Sequence, residues 1–501
     1  MDADTMMPNL RSPEPGTLPT TDPFTYLEEE DHDYTKEVPG PTALQPLPQQ
    51  KFTAATRNPC KLCTPLGATL AFRGIEGAVP FLHGSQGCAT YIRRYMISHY
   101  REPMDIASSS FGESAVIFGG EANLKNGLTN VISQYEPSLV GIATTCLAET
   151  IGDDVPQMLN RYREAWATDH PDEKLPHLVH VSTPSYQGTH SEGYYAAVRS
   201  LVSQVAEAGD PELHVTLIPG MFSPEDLRYL RDILEDFHYE ARIIPDYSDT
   251  MDNGIWDDYH RIPEGGTPVK HLQEVGRSRA VLEFGALRPP ESTAGAWLHE
   301  HQDTENYLLH IPVGVRLTDR FFKQIERLDG IKTPKRYTSE RARLIDALVD
   351  GHKYVAGKRA VIFGDEDMVL GMAVFAAEIG LVPVLCASGG DGGRLERALR
   401  RMVPENVGRH MTVAAGTDFA SIEEQIADLK PDILIGNSKG YRIARSLEVP
   451  LVRVGFPIHD RIGAQRVLHV GYRGALALYD RIVNGLLEQK QETNRTGYSY
   501  L

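Results

Sequence analysis

The sequence predicts an α/β protein of three doubly wound domains with parallel sheets. Two observations carry the prediction. Short apolar runs recur along the chain, bounded by Gly, Pro, Asn or Asp, as strands buried on both faces read. Between them lie stretches with apolar residues at helical spacing, so strands and helices alternate, the pattern of a parallel sheet with crossover helices. At 501 residues the chain also exceeds a single core, which stops growing near ~250–300 residues.

Taken in order, residues 1–50 read as an extended arm rich in Pro, Thr and acids, with too little apolar content to fold alone. Phe24, Tyr26, Leu27 and Tyr34 are its candidate anchors on a partner subunit, against the plainer reading of a disordered leader. A first α/β domain is expected over 51–205. It contains a helix over Leu124–Tyr135, with apolar residues at 124, 128, 131, 132 and 135, and then the strand Leu139–Ala143. The second, over 206–335, holds the strand Val215–Ile218, a helix opened by Ser223 as N-cap with Pro224 and Glu225 in its first turn, and strands at Arg242–Ile244 and Ala280–Phe284. The third, over 336–490, holds Arg359–Phe363, a helix through Ile379, then Val382–Leu385, Met411–Val413 and Asp432–Ile435. Ser421 and Glu424 have capping-box spacing ahead of the last of these strands. Residues 491–501 are a tail.

The turns Gly364-Asp365 and Gly436-Asn437 lack three-glycine spacing and a P-loop lysine, so they read as ordinary tight turns. Net charge is −18, from 68 acidic and 50 basic residues, which argues against nucleic acid as a partner. No run approaches the ~20 apolar residues of a membrane span, and the first residues have neither a basic nor an apolar signal region. A reducing cytoplasm is the expected compartment, where cysteines bind metal or react.

Four of the five cysteines fall in the first third, as Cys60-Lys-Leu-Cys63, His83-Gly-Ser-Gln-Gly-Cys88 and Thr144-Thr-Cys146. Each lies at a Gly-rich turn or just past an apolar run, the placement of iron–sulfur ligands. Cys146 stands just beyond a strand's carboxyl end, the edge of an α/β sheet where ligands gather. A four-iron cube takes about four thiolates, whereas a larger cluster shared between two chains takes about three from each, so the set reads as half of an interfacial site. Structural zinc would need a second Cys pair or a His pair at zinc spacing, and none follows. Cys386, inside an apolar strand, reads as a small buried hydrophobe. Asp346 and Asp350, four apart on a helix, could share a hard cation or simply form a solvated face. His83 and His99 read as structural histidines.

The motifs Pro80-Phe-Leu-His-Gly-Ser-Gln-Gly-Cys88, His99-Tyr-Arg-Glu-Pro103, Val116-Ile-Phe-Gly-Gly120, Thr144-Thr-Cys-Leu-Ala-Glu-Thr-Ile-Gly-Asp-Asp154, Thr183-Pro-Ser-Tyr-Gln-Gly-Thr-His190, Ile435-Gly-Asn-Ser438 and Gly455-Phe-Pro-Ile-His-Asp-Arg461 closely resemble the β subunit of nitrogenase component 1 and its relatives, over about residues 55 to 490. The resemblance implies three Rossmann-like domains in an α2β2 heterotetramer. It further implies an [8Fe-7S] P-cluster shared with the α-type subunit, an active-site iron–sulfur cofactor held by that α partner, and a homodimeric ATP-dependent iron-protein reductase that delivers electrons. By motif the cluster thiolates are Cys63, Cys88 and Cys146, with Ser185 as an oxygen ligand and Cys60, Ser85 and Tyr91 nearby. Glu102, Asp346 and Asp350 resemble carboxylates holding a structural divalent cation between subunits, and Phe118 lies where the reductase docks. No residue here matches an active-site cofactor motif, so no catalytic residue is expected in this chain. N-type assembly scaffolds generally keep only the cysteine of His-Gly-Ser-Gln-Gly-Cys, whereas this chain has all three. Asn58-Pro-Cys-Lys-Leu-Cys63, Tyr91-Ile-Arg-Arg-Tyr95 and Ile106-Ala-Ser-Ser-Ser110 are most similar to the K-type subunit of methylthio-alkane reductase, a nitrogenase-like enzyme that cleaves C–S bonds of small thioethers to methanethiol and a hydrocarbon.

Overall fold

The computed structural model describes residues 58–494 other than 259 and 391. The candidate anchors Phe24, Tyr26, Leu27 and Tyr34 lie outside the described residues. The strands form three sheets, and every pairing is parallel. The first sheet holds β1 (Ala78–His83), β2 (Ala107–Ser108), β3 (Leu139–Thr144) and β4 (His177–Val181), in the order β2-β1-β3-β4. The second holds β5 (Val215–Ile218), β6 (Ala241–Ile243), β7 (Ala280–Phe284) and β8 (Asn306–Leu309), in the order β6-β5-β7-β8. The third holds β9 (Arg359–Gly364), β10 (Val382–Ser388), β11 (Thr412–Ala414), β12 (Ile433–Gly436) and β13 (Leu451–Arg453), in the order β11-β10-β9-β12-β13. In each sheet the first strand is interior and the chain leaves it to one side, then returns to the other. That reversal opens a crevice at the carboxyl ends of the two strands flanking it.

The interior strands are apolar on both faces because helices cover both, and β1, β3, β5, β7 and β12 are buried along their whole length. Pro80 masks β1 in the sequence, since proline cannot donate to a ladder. The structure accommodates it because β2 begins only opposite Phe81, leaving β1 an edge on that side at Pro80. Ser223 does cap the helix Pro224–Asp236: its Oγ accepts the Asp226 amide at 3.0 Å while Asp226 Oδ2 accepts the Ser223 amide at 3.1 Å. The Ser421 reading is corrected. The helix Phe419–Leu429 starts earlier, capped by Asp418, whose Oδ1 accepts the Ser421 amide at 2.8 Å, so Ser421 lies inside the first turn.

Candidate metal-cluster site

The crevice of the first sheet is where the cysteines assemble. β1 and β3 pair in register through His83 opposite Thr144, so both strands end at one level. The Thr145 amide donates to the His83 carbonyl at 3.1 Å and continues the pairing past the strands. From these ends the chain turns into two helices, Gln86–Tyr100 and Cys146–Ile151, whose first turns carry Cys88 and Cys146. Ser85 caps the first of these, its Oγ accepting the Gly87 amide at 3.2 Å. Gly84 permits the turn: its φ is +157, and a Cβ there would lie 1.9 Å from Thr145 Oγ1.

Cys63 arrives from another direction, as N-cap of the helix Thr64–Arg73. That helix crosses the helix His190–Val205 at very close range, because Gly67 and Gly193 face each other's backbone. A Cβ on Gly67 would stand 1.7 Å from the His190 carbonyl oxygen, and one on Gly193 would stand 1.9 Å from the Thr64 carbonyl oxygen. The Leu62 amide also donates to His190 Nδ1 at 3.3 Å. Ser185, on the loop after β4, ties the pieces together. Its amide donates to Cys146 Sγ at 3.2 Å, and its Oγ accepts the Thr64 amide at 3.2 Å. That loop is held by Thr183, whose amide donates to Thr144 Oγ1 at 3.0 Å and whose hydroxyl donates to the Thr144 carbonyl at 2.6 Å.

Three free, partly buried thiols thus stand at three helix N-termini. Burial pushes the Cys88 thiol up, and the neighbouring Cys63 and Cys146 push it further, so the three share one electrostatic environment. Tyr91, one turn beyond Cys88, is raised chiefly by burial and then by Tyr95, with Cys63 also within range. Among the described residues no three His, Cys, Asp or Glu side chains converge as a single-ion site. Three thiols brought to one opening by three separate elements fit a cluster whose ligands bind different irons.

Cys60 is apart from this set. Its thiol is buried in the apolar cluster of the third sheet with Val361, Phe363 and Phe419, and accepts the amides of Gly364 and Gly389. Burial pushes it up to about 12, so it stays protonated. The segment Asn58–Lys61 is tied to the chain after β11: Cys60 N donates to Thr417 O at 3.1 Å, and Phe419 N to Asn58 O at 3.1 Å. Beside the turns at Gly364-Asp365 and Gly436-Asn437, the Gly364 amide donates to the Cys60 thiol and Lys439 Nζ donates to the Pro59 carbonyl at 2.7 Å. Cys386 is buried in β10 beside Met411, its thiol likewise pushed up to about 12.

His83 and His99 are structural. His83 Nε2 meets Asp153 Oδ2 at 3.0 Å, and His99 Nδ1 accepts the Ile458 amide at 2.8 Å. Asp153, which carried no role in the sequence, also accepts the Gly120 amide, and so anchors the segment after the helix Glu113–Phe118 to the end of β1. That short helix presents Val116, Ile117 and Phe118 to solvent, Phe118 being 86% exposed. Glu102 and the pair Asp346 and Asp350 are not brought together within the chain. Burial raises Glu102, which accepts the Asn253 amide, with Asp252 pushing it further, whereas the two aspartates are exposed on the helix Lys335–Val355 beside exposed Ile345 and Val349.

The model of the family described as nitrogenase component 1 type oxidoreductase matches residues 63–487. The chain belongs to that family. It is 36% identical to the nitrogenase molybdenum-iron protein beta chain of Methanothermobacter thermautotrophicus, over 87% of this chain and 95% of that one. It is 34% identical to the same protein of Clostridium pasteurianum, covering 86% and 93%, and 33% identical to that of Azotobacter vinelandii, covering 88% and 86%. A solved structure of nitrogenase Cp1 at pH 6.5 superposes with a TM-score of 0.84 at 31% identity, covering 93% of this chain and 98% of that one. The chain is a nitrogenase-like, β-type oxidoreductase subunit with the parallel-sheet fold the sequence predicts. Among the described residues no helix is long and apolar enough to cross a membrane.

Proposed function

We propose that this chain carries one half of an iron–sulfur P-cluster shared with an α-type subunit in an α2β2 complex, through Cys63, Cys88 and Cys146, with Ser185 beside them. The carrying observation is the assembly of three free thiols at three helix N-termini around one sheet crevice. When bound, such a cluster accepts and releases single electrons. The chain's own part is to hold three thiols around one opening, to donate the Ser185 amide to Cys146 sulfur, and to bury part of the site against water; such hydrogen bonds and burial set cluster potential. Val116, Ile117 and Phe118 form the apolar face on which an ATP-dependent reductase docks. Glu102 of one copy with Asp346 and Asp350 of another would hold a divalent cation between β-type subunits.

For the reaction, we infer reductive C–S cleavage of small thioethers, carried out at a cofactor in the α partner. Asn58-Pro-Cys-Lys-Leu-Cys63, Tyr91-Ile-Arg-Arg-Tyr95 and Ile106-Ala-Ser-Ser-Ser110 support this reading. Assaying the complex with its reductase, ATP and 2-methylthioethanol is expected to release ethylene and methanethiol, and neither product forming would end it. The second reading is dinitrogen reduction, favoured by the names of the relatives; ammonia formed from dinitrogen without thioether cleavage would establish it.

A further inference from the structure

Lys439 follows β12 and reaches across the third sheet's crevice to the segment leading into Cys63. Its Nζ donates to the Pro59 carbonyl at 2.7 Å and lies 3.4 Å from the Lys61 carbonyl. The ammonium also stands 5.9 Å from the Phe419 ring centroid. It is part-buried, and burial lowers its affinity for the proton. Among the described residues no carboxylate lies within ion-pair distance of it, and the groups that favour its charge are two sulfurs, Cys60 and Cys63. A desolvated cation is costly unless an anion compensates it. Cys60 cannot serve, because its apolar surroundings keep it a neutral thiol. His190 is nearby, but burial pushes it down to about 3, so it adds no charge. The ammonium's contact with the Lys61 carbonyl sets it two residues along the chain from Cys63, a thiolate whenever it ligates metal.

We propose that Lys439 is a positioning residue for the cluster half carried by this chain: it tethers Pro59–Lys61 so that Cys63 meets Cys88 and Cys146, and its charge raises the reduction potential of the group those thiolates hold. The proposal rests on the cluster reading above. A fixed positive charge beside a thiolate ligand favours the more electron-rich state, and the weakly polar surroundings screen it little.

The test uses the whole complex with Lys439→Arg, Lys439→Gln and Lys439→Met. Lys439→Gln keeps a donor for the Pro59 carbonyl and removes the charge. It is expected to retain iron while an EPR-monitored redox titration shows the oxidised form favoured about tenfold at a given potential, a downward shift of ~59 mV for a one-electron couple. Lys439→Arg is expected to titrate like the unsubstituted protein. Lys439→Met is expected to speed amide hydrogen exchange at Cys60–Cys63, which reads the tether whether or not iron is present. An unchanged potential in Lys439→Gln, an equal shift in Lys439→Arg, or unchanged exchange in Lys439→Met would each overturn the proposal. Iron analysis of the unsubstituted complex reports separately on the cluster reading.

Discussion

Gly193→Ala is the most incisive perturbation of the site's architecture, because it acts on no thiol. A Cβ at this position would sit 1.9 Å from the Thr64 carbonyl oxygen and 2.7 Å from the Thr64 carbonyl carbon. These are backbone atoms, so no side chain can rotate away. Ordinary contact begins near 3.4 Å, so the helices Thr64–Arg73 and His190–Val205 must part by about 1.5 Å (3.4 less 1.9). Thr64 adjoins Cys63, and the displaced helix takes that thiol with it, away from Cys88 and Cys146. Overpacking of this kind costs roughly 1–3 kcal/mol, and both helices are closely packed, which favours the upper end. Gly254→Ala is the control: nothing lies within 4 Å of its Cβ, and the change should fall within about ±0.5 kcal/mol. The assay is the denaturation midpoint of each variant together with iron per complex. Gly193→Ala should lower both, and Gly254→Ala neither. Full iron and an unshifted midpoint in Gly193→Ala would refute the claim that close helix approach sets Cys63.

Cys88→Ala and Cys146→Ala should lose most iron by metal analysis, while Cys60→Ala and Cys386→Ala, whose thiols lie in apolar surroundings away from the site, should keep it. Phe118→Ala removes an 86%-exposed ring, so stability should stay within about ±0.5 kcal/mol while reductase-dependent turnover falls, as titration of activity against reductase would read. Asp226 is fully buried and accepts His469 Nδ1 at 2.7 Å together with the amides of His469, Val470 and Ser223. Burial works to raise its carboxyl, but His469 and these amides prevail and hold it below the usual range. A depressed folded value gives stability that is present above the unfolded ~3.9 and is lost as pH falls through the folded one. Asp226→Asn should therefore flatten the acid limb of a stability–pH profile and cost about 3–5 kcal/mol at neutral pH, as denaturation midpoints would show.

Strands such as Val215–Ile218 were legible because burial on both faces leaves a continuous apolar run, whereas β1 was hidden by Pro80 and β13 is only three residues long. Cys88 and Cys146 were candidate ligands by type and motif, but what brings them together is the register of His83 opposite Thr144, a long-range pairing that local spacing does not encode. The Cys60-x-x-Cys63 spacing suggested neighbours. The chain instead turns at Cys63, the helix N-cap, and leaves Cys60 on the third sheet. Lys439 gave no signal at all, since a lone lysine after Gly-Asn-Ser looks like any surface charge until the fold sets it against Pro59. Asp153 sat in a recognised motif, yet its hold on His83 and Gly120 emerges only from the assembled sheet. Among the described residues Glu102, Asp346 and Asp350 do not converge, and spacing along the chain could not have shown that.

In the proposed function, sulfur from Cys63, Cys88 and Cys146 grips a multi-iron cluster together with a second polypeptide. Anomalous diffraction at the iron edge from crystals of the assembled complex tests it most directly. Iron density bonded to all three sulfurs and continuous into the partner subunit is expected. Zinc there, a disulfide between any two of the three, or iron confined to one chain would contradict it.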